Sequence, residues 1–429
     1  MANLISKCTL PLLLGGIFIL GSAGLTRAAD PIRIGAPLSL TGSLADEGGK
    51  EQQGLDMCIA AVNAKGGVKV GSDMRKLEAV KYDYQSETSR AVQIVQRLLT
   101  VDKVDFLFAP YGSGDTKATA VLAERYNIPM VATSAASEAV YDQKGKNLFG
   151  ILFPNNAMVQ TEVKYYKERV PQAKKLAVFA LNSLFPKAIA AALRDTAAKD
   201  GFEVVFDGLY SQGTLDFANA LTQIKAGNPD WLYATGYIQE LIVIRRQMDN
   251  LGMTIPIVTM TAGAAYPEFE QNLGPLSNNV TTNAWWHPSA TYKDSYIFGG
   301  AEQYTATFKE KYKKEPTYLE AAATAGCEVL VQSVEKAGST DPEAVRKQLS
   351  TLKFETFYGP IQFGPSGQNA INSPMILQIQ NGKYAVLDPQ AVKTGELKVG
   401  VGAKEPGITI NGQRCGWPRC PFIVDLAQR

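Results

Sequence analysis

The sequence predicts an α/β protein built from two doubly wound, Rossmann-like units, and three observations lead to this prediction. The chain has 429 residues, well above the ~150 residues typical of one domain. Hydrophobic residues make up 45% of the chain and charged residues 20%, a composition typical of packed globular proteins. Short apolar strands alternate with amphipathic helices, and this alternation occurs twice.

The first series of strands and helices lies within residues 32–133. Apolar side chains recur within residues 50–64 at Leu55, Cys58, Ile59 and Val62, the spacing of one buried helix face. Repeated β-α units of this length produce a parallel sheet with helices on both faces. The predicted strands are 32–40, 77–84, 104–109 and 128–133, and the other predicted helices are 86–101 and 115–127.

The second series begins near residue 155 and predicts a second sheet. Because open sheets of this kind bind ligands beyond the carboxyl ends of their strands, two facing units would form a cleft. After residue 388 the chain is rich in Gly, Lys and Pro, so residues 388–429 are predicted to be a loosely structured extension. The predicted strands are 176–181, 202–210, 230–235, 256–260, 354–363 and 374–387, and the predicted helices are 155–169, 185–200, 216–226, 238–251, 300–314, 318–337 and 341–350.

Residues 1–28 have the pattern of a cleavable secretory signal peptide. Lys7 gives a positive start, residues 9–25 are uncharged and apolar, and Thr26 and Ala28 place small side chains before the cut. The apolar run is shorter than the ~20 residues of a membrane-spanning helix. We therefore expect an exported, soluble protein.

Several classes of chemistry are disfavoured by composition. The chain has one histidine, His287, which excludes a multi-histidine metal centre. It lacks the GxSxG motif of a nucleophile elbow. The 43 basic and 41 acidic residues give no electrostatic case for nucleic-acid binding. These features disfavour metalloenzymes and serine hydrolases in particular; no cofactor, metal or catalytic residue is predicted, and an exported two-domain enzyme is the less favoured alternative.

Four cysteines follow the predicted signal peptide. Cys415 and Cys420 lie near the carboxyl terminus and are able to pair in an oxidising compartment. Cys58 and Cys327 each lie in a helical pattern among apolar neighbours. Buried free thiols are the expected state of these two residues.

Two stretches near the amino terminus resemble a known family. The sequences IGAPLSLTG at 34–42 and VNAKGGV at 62–68 resemble the opening of type I periplasmic binding proteins. The resemblance is closest to the branched-chain amino acid branch, the leucine/isoleucine/valine-binding receptors of ABC importers. Asp216-Phe217 and Tyr358-Gly359-Pro360 fit the same pattern, and the resemblance covers roughly residues 30–387.

This resemblance implies two lobes joined by three hinge crossings. Family members close on a small ligand, and membrane permease subunits recognise the closed form. A monomer is expected. The implied lobe one is 29–150 plus 285–357 and lobe two is 151–284 plus 358–387, with crossings near 149–153, 282–285 and 358–363.

The loop after the third strand contains Tyr111, Gly112 and Ser113. Glycines allow close approach of the backbone, and the free N–H groups at a helix start suit a carboxylate. From the residues alone, Ser113 is equally well explained as a helix cap. The resemblance implies that Ser113 binds the carboxylate of the ligand.

The loop after the fourth strand contains Ala135 and Ala136. The resemblance implies that the Ala135 carbonyl accepts a hydrogen bond from the ligand's ammonium group. It places a carboxylate-binding threonine at Ala136, whose hydroxyl is missing here. Ser134 or Ser137 would have to replace that hydroxyl.

In the second unit, the resemblance implies that Glu240 binds the ammonium group. The alternative is a first-turn glutamate that complements its own helix dipole. Tyr237 and Trp285 are candidates for the pocket wall, and Phe185 matches an aromatic residue that covers the ligand. Glu47 stands where the family has a cleft-facing aromatic residue, which suggests a more polar ligand.

The combined expectation is an exported receptor located in the periplasm, for a small amino acid that is branched-chain or otherwise apolar. Its partners would be that ligand and the permease subunits of the inner membrane. An aromatic carboxylate, urea or a short amide is the alternative ligand, because Ala136 and Glu47 depart from the family pattern.

Overall fold

The computed structural model describes residues 30–142, 145–371, 374–402, 409–410 and 413–414. The predicted signal peptide, Cys415 and Cys420 lie outside these ranges. The described residues form an α/β fold with two main sheets, as the sequence predicts.

The first sheet has five parallel strands among the described residues, in the order β4-β1-β5-β6-β7. A short hairpin, β2-β3, was not predicted; it lies between α1 and β4. The elements in chain order are β1 (Ile32–Leu38), α1 (Ala45–Ala64), β2 (Val68–Val70), β3 (Asp73–Arg75), β4 (Leu77–Asp83), α2 (Thr88–Thr100), β5 (Phe106–Phe108), α3 (Gly112–Tyr126), β6 (Met130–Ala132) and β7 (Leu148–Gly150).

After Gly150 the chain enters the second sheet, whose central strands are parallel. Three of these strands, Lys175–Leu181, Trp231–Gly236 and Ile257–Ala262, are buried along most of their length, which is why their sequences are largely apolar rather than alternating. The elements are α4 (Asn155–Arg169), β8 (Lys175–Leu181), α5 (Leu184–Lys199), β9 (Glu203–Tyr210), α6 (Ala218–Gly227), β10 (Trp231–Gly236), α7 (Ile238–Asn250), β11 (Ile257–Ala262), α8 (Pro267–Leu273) and β12 (Thr281–Ala284).

Beyond Ala284 the chain returns to the first sheet, where α10 packs on α1 and β6. It then crosses again, and β15 and β16 complete the second sheet as antiparallel strands, in the order β16-β15-β12-β11-β10-β8-β9. The elements are α9 (Ala301–Tyr312), α10 (Tyr318–Ala337), α11 (Pro342–Thr351), β13 (Lys353–Thr356), β14 (Gly359–Gln362), β15 (Met375–Gln380) and β16 (Lys383–Asp388).

The contact between α1 and α10 corrects one prediction. Cys58 and Cys327 are not free thiols but form a disulfide with a Cα–Cα distance of 6.2 Å, which is within the usual range. The two helices lie very close together, since a Cβ atom at Gly54 would collide with the carbonyl oxygen of Glu320. One turn after Gly54, Cys58 lies on the same face of α1 and reaches its partner on α10.

Residues 393–402 belong to the segment predicted to be loosely structured, but they run along the second sheet instead. The Lys398 N–H donates a hydrogen bond to Gln378 Oε1 over 2.9 Å. Val401 is buried and bridges to Ile255. Several backbone groups of this segment therefore find hydrogen-bond partners in and beside the second sheet. Among the helices in the described ranges, none is long and apolar enough to cross a membrane.

Candidate ligand-binding site between the two sheets

A small cavity lies where the carboxyl ends of both sheets' strands meet. It is narrow and nearly filled by the surrounding side chains; the space between them, including the part open to solvent, is about 240 Å³. Its lining residues are Tyr111, Gly112 and Ser134 beside the first sheet, Phe185, Tyr237 and Ala262 beside the second, and Leu152, Trp285 and Tyr318.

The wall beside the first sheet is the start of α3. Gly112 has a φ of +80°, a conformation that favours glycine, and its N–H donates to Ser134 Oγ over 2.9 Å. Ser113 is buried, and its hydroxyl accepts a hydrogen bond from the Ser137 N–H over 3.2 Å. Ser113 lies next to the lining residues without being one of them. The positive end of α3 is thus directed at the cavity.

Ala135 and Ala136 are buried beside Ser134 and are not part of the lining. The carbonyl oxygen of Ala135 accepts a hydrogen bond from the Tyr141 hydroxyl over 2.8 Å. The carbonyl oxygen of Ala136 accepts one from Gln368 Nε2 over 3.0 Å. The Ala136 carbonyl also accepts the Asn155 N–H over 3.3 Å, so only the Ala135 carbonyl has a second lone pair to offer a ligand.

The wall beside the second sheet is the start of α7. Glu240 is 5% exposed, lies outside the lining and accepts a hydrogen bond from the Gly213 N–H over 3.1 Å. Burial is the main cause that raises the pKa of Tyr237, and the charges of nearby acids, Glu240 among them, add to it. The Tyr237 hydroxyl therefore stays protonated and is able to donate a hydrogen bond into the cavity.

Aromatic rings close the cavity on several sides. Trp285 packs on Phe185 with a centroid distance of 6.1 Å and on Tyr318 with a centroid distance of 5.0 Å. Its indole N–H donates to the Phe153 carbonyl over 3.2 Å, which fixes the ring. Tyr237 meets Tyr111 edge to face at 5.7 Å. Predicted site residues from distant parts of the chain are thus brought together: Tyr111, Gly112, Phe185, Tyr237 and Trp285 all line the cavity.

Two buried carboxylates lie on α1 near this site. Burial raises the pKa of both Glu47 and Glu51 to about 7. Glu51 Oε1 accepts a hydrogen bond from the Thr133 hydroxyl over 2.9 Å. Within the described residues, neither oxygen of Glu47 has a hydrogen-bond partner.

The described residues contain no group of three or more His, Cys, Asp or Glu side chains arranged to hold a metal ion. His287 lies outside the cavity lining. Its Nδ1 is 2.9 Å from the Ser289 hydroxyl oxygen, and burial lowers the pKa of the ring to about 4. The histidine is therefore a neutral structural residue.

Three lining residues were not predicted: Leu152, Ala262 and Tyr318. Ala262 ends β11, so the rule that ligands bind beyond strand ends was sufficient to find it. Leu152 lies within a predicted crossing. Tyr318 begins α10 after a long connection, and no local pattern in the sequence indicates that it returns to the cleft.

Comparisons with known proteins are consistent with this architecture. A family profile described as "Periplasmic binding protein" matches residues 31–383. The leucine-, isoleucine-, valine-, threonine- and alanine-binding protein of Pseudomonas aeruginosa is 26% identical over 83% of this chain and 91% of its own.

Solved structures are similar along nearly their whole length. The branched-chain amino acid transporter substrate-binding protein LivJ from Streptococcus pneumoniae, in complex with isoleucine, has a TM-score of 0.74 and 25% identity. It covers 84% of this chain and all of its own. A solute-binding protein from R. palustris in complex with benzoate has a TM-score of 0.71 and 20% identity, over 87% of this chain and all of its own. The matched proteins are substrate-binding proteins of transporters, not enzymes.

Proposed function

Because the chain belongs to the periplasmic binding protein family, we propose that it is the solute-binding receptor of an ABC importer and captures a small amino acid between its two sheets. The observation that carries this proposal is the narrow cavity whose walls come from both sheets. A ligand that contacts both walls stabilises the closed arrangement by its differential affinity. The chain is a binding protein and not an enzyme.

The ligand's carboxylate is assigned to the wall beside the first sheet. α3 begins at Gly112 and Ser113, and the first-turn N–H groups and positive dipole end of a helix favour anions, although the Gly112 N–H itself donates to Ser134 Oγ. The Ser134 hydroxyl lines the same wall and replaces the hydroxyl that Ala136 lacks.

The ligand's ammonium group is assigned to the wall beside the second sheet. Glu240 is nearly buried, and a buried carboxylate needs a cationic partner or several donors. The Gly213 N–H supplies one donor, and an ammonium group would supply the charge. The Ala135 carbonyl is assigned as a further acceptor for the same group.

The ligand's side chain is assigned to the aromatic part of the cavity. Phe185, Trp285, Tyr318 and Leu152 offer apolar surface there. A branched-chain or other apolar side chain would gain about 25 cal/mol for each Å² that it buries.

The remaining parts of the proposal follow the family. Lobe one is 29–150 plus 285–357, lobe two is 151–284 plus 358–387, and residues 1–28 are the signal that exports the chain to the periplasm. The receptor acts as a monomer and delivers its ligand to permease subunits of the inner membrane.

The proposal is tested by ligand identification followed by calorimetry. Native mass spectrometry of the purified protein identifies a retained solute, and titration with leucine, isoleucine and valine measures affinity. Glu240→Gln should weaken amino-acid binding by at least about 100-fold, the cost of leaving a buried ammonium group without its counter-charge. The same variant should spare 4-methylpentanoate, which is leucine without its amino group.

Equal losses for leucine and 4-methylpentanoate would overturn the assignment of Glu240. A matched control is Glu203→Gln, which changes an exposed acid on β9 of the same sheet and should leave both affinities unchanged.

An aromatic carboxylate is the second candidate ligand. The rings of Phe185, Trp285 and Tyr237 favour it, since aromatic pairs gain stacking energy beyond their buried area. The benzoate complex of the R. palustris neighbour supports this candidate at the level of the fold. Benzoate titrated under the conditions used for leucine distinguishes the two, because the ligand that binds more tightly identifies the class.

A further inference from the structure

Glu47 is the least satisfied acidic side chain near the cleft. It lies in the first turn of α1 and is 0% exposed. By strict hydrogen-bond geometry neither carboxylate oxygen has a partner among the described residues, and the nearby backbone N–H groups of Glu47 and Ile238 lower its pKa by less than burial raises it. Buried polar groups in folded proteins nearly always have partners, so an unpaired carboxylate requires an explanation.

Glu47 is not one of the residues that line the cavity, but it lies behind that lining, next to Asp46, which accepts a hydrogen bond from Gln239 Nε2 at the start of α7 over 3.0 Å. The charge of Glu47 contributes to the raised pKa values of three tyrosines that line the cavity, Tyr111, Tyr237 and Tyr318. The backbone N–H of Ile238, at the start of α7 on the opposite side of the cleft, lowers the pKa of Glu47. Glu47 therefore lies between the two walls that the ligand is expected to join.

The nearby cation only partly offsets the burial of Glu47: the charge of Lys50 lowers the pKa of Glu47, but burial still raises it to about 7. Lys50, one turn further along α1, is within 2.8 Å of Glu268 Oε1 and is committed to that ion pair. Glu51, one turn away on the same helix, differs because the Thr133 hydroxyl bonds one of its oxygens. Of these two carboxylates on α1, only Glu47 has two free acceptor oxygens in the described residues.

We propose that Glu47 accepts a hydrogen bond from an N–H donor on the ligand's side chain, so that the receptor prefers amino acids with an ammonium or carboxamide side chain over apolar ones. This inference rests on the proposed capture of an amino acid and specifies its class. The surrounding rings of Tyr111, Tyr237 and Tyr318 are compatible with such a group, because aromatic faces attract cations and amide N–H groups.

Three unbranched amino acids of similar side-chain length test the inference by calorimetry: lysine, glutamine and norleucine. The wild-type protein should bind lysine or glutamine at least about 10-fold more tightly than norleucine, as expected for a charge-assisted hydrogen bond. A preference for lysine identifies an ammonium ligand, and a preference for glutamine identifies a carboxamide ligand. If norleucine binds as tightly as both, the inference is wrong.

Two variants separate a direct contact from a structural effect. Glu47→Leu removes the acceptor and should reduce the preference to about 1-fold. Its folding is favoured because it replaces an unpaired buried carboxylate with an apolar group. Glu47→Gln should lose the preference for lysine and retain part of the preference for glutamine, since an amide oxygen still accepts a hydrogen bond.

Glu162→Gln is the matched control. Glu162 is also a buried glutamate with one unpaired oxygen, but its other oxygen is bonded to Tyr233 and Asn283 inside the second sheet, away from the cavity lining. This variant should keep the wild-type preference. An equal change in Glu162→Gln and Glu47→Gln would overturn the inference. If norleucine binds and lysine and glutamine do not, only this inference fails. If leucine, lysine, glutamine and norleucine all fail to bind, the proposed function is overturned as well.

Discussion

Lys50 and Glu268 form an ion pair that joins the two halves of the molecule. Lys50 Nζ on α1 lies 2.8 Å from Glu268 Oε1 on α8, and α1 packs on the first sheet whereas α8 follows β11 of the second. The Lys50 side chain is only 4% exposed, and its ammonium group also lies 4.9 Å from the centre of the Tyr266 ring. This contact requires the two sheets to be close together.

Glu268→Gln should therefore favour the open state. The pair is partly exposed, so its loss is expected to cost the closed state about 1 kcal/mol, roughly a 5-fold shift in the equilibrium. Small-angle X-ray scattering of the ligand-free protein should show a larger radius of gyration. The control is Glu315→Gln, which breaks the exposed Lys309–Glu315 pair at 2.9 Å. An unchanged radius in Glu268→Gln would contradict the proposed role of the pair.

Gly112 and Gly114 lie within one turn of α3, and comparing them tests whether the backbone at residue 112 requires glycine. Gly112→Ala forces a side chain into a φ of +80° and places its Cβ 3.4 Å from the Tyr237 hydroxyl, so unfolding free energy should fall by about 1–2 kcal/mol. At Gly114 a Cβ would have no heavy atom within 4 Å. Gly114→Ala should be neutral or raise stability by up to about 1 kcal/mol. Equal urea midpoints for the two variants would show that Gly112 is not constrained.

Local periodicity was sufficient to predict the fold class. The spacing of Leu55, Cys58 and Val62 correctly indicated the buried face of α1, and the alternation of strands and helices indicated parallel sheets. Some short elements were not predicted: β7 has three residues, and β2 and β3 form a brief hairpin. Such elements are too short to show a period.

Long-range pairings were not predictable from local pattern. Cys58 and Cys327 are 269 residues apart, and a buried helix face does not reveal which helix covers it. The same holds for Tyr318, which completes the cavity. Tyr111, Phe185 and Trp285 were found because strand ends and family resemblance placed them; the binding roles of Ser113 and Glu240 stay predictions.

Removal of the disulfide should destabilise the protein. The bond closes a loop of 269 residues, and loops of this length are expected to contribute about 3–5 kcal/mol through the unfolded state. Urea unfolding should show this loss equally in Cys58→Ala, in Cys327→Ala and in the double variant, because each single change breaks the whole bond. A double variant much less stable than either single one would indicate that packing of the sulfur atoms, rather than the covalent link, provides the stabilisation.

His287 predicts a specific dependence of stability on pH. Burial lowers the pKa of its ring to about 4, and the nearby Glu315 carboxylate only partly opposes this effect. A depressed pKa in the folded state means that the unfolded chain binds the proton more tightly. Neutral His287 therefore makes its full contribution to the free energy of unfolding above about pH 6.5. As the pH falls towards 4, up to about 3 kcal/mol of that free energy is lost.

The buried glutamates change the pH dependence of stability in the opposite direction: burial raises the pKa of Glu162 to about 8 and that of Glu47 to about 7, so their protonation favours the folded state as the pH falls. The measurement is therefore the difference in unfolding free energy between the wild type and His287→Gln, taken near pH 7 and near pH 4.5. Since His287 is the only histidine in the sequence, this difference isolates its proton. The variant should lose less stability than the wild type on acidification. If both lose the same amount, the ring is protonated as readily in the folded protein as in the unfolded chain, and His287 is not buried as a neutral group.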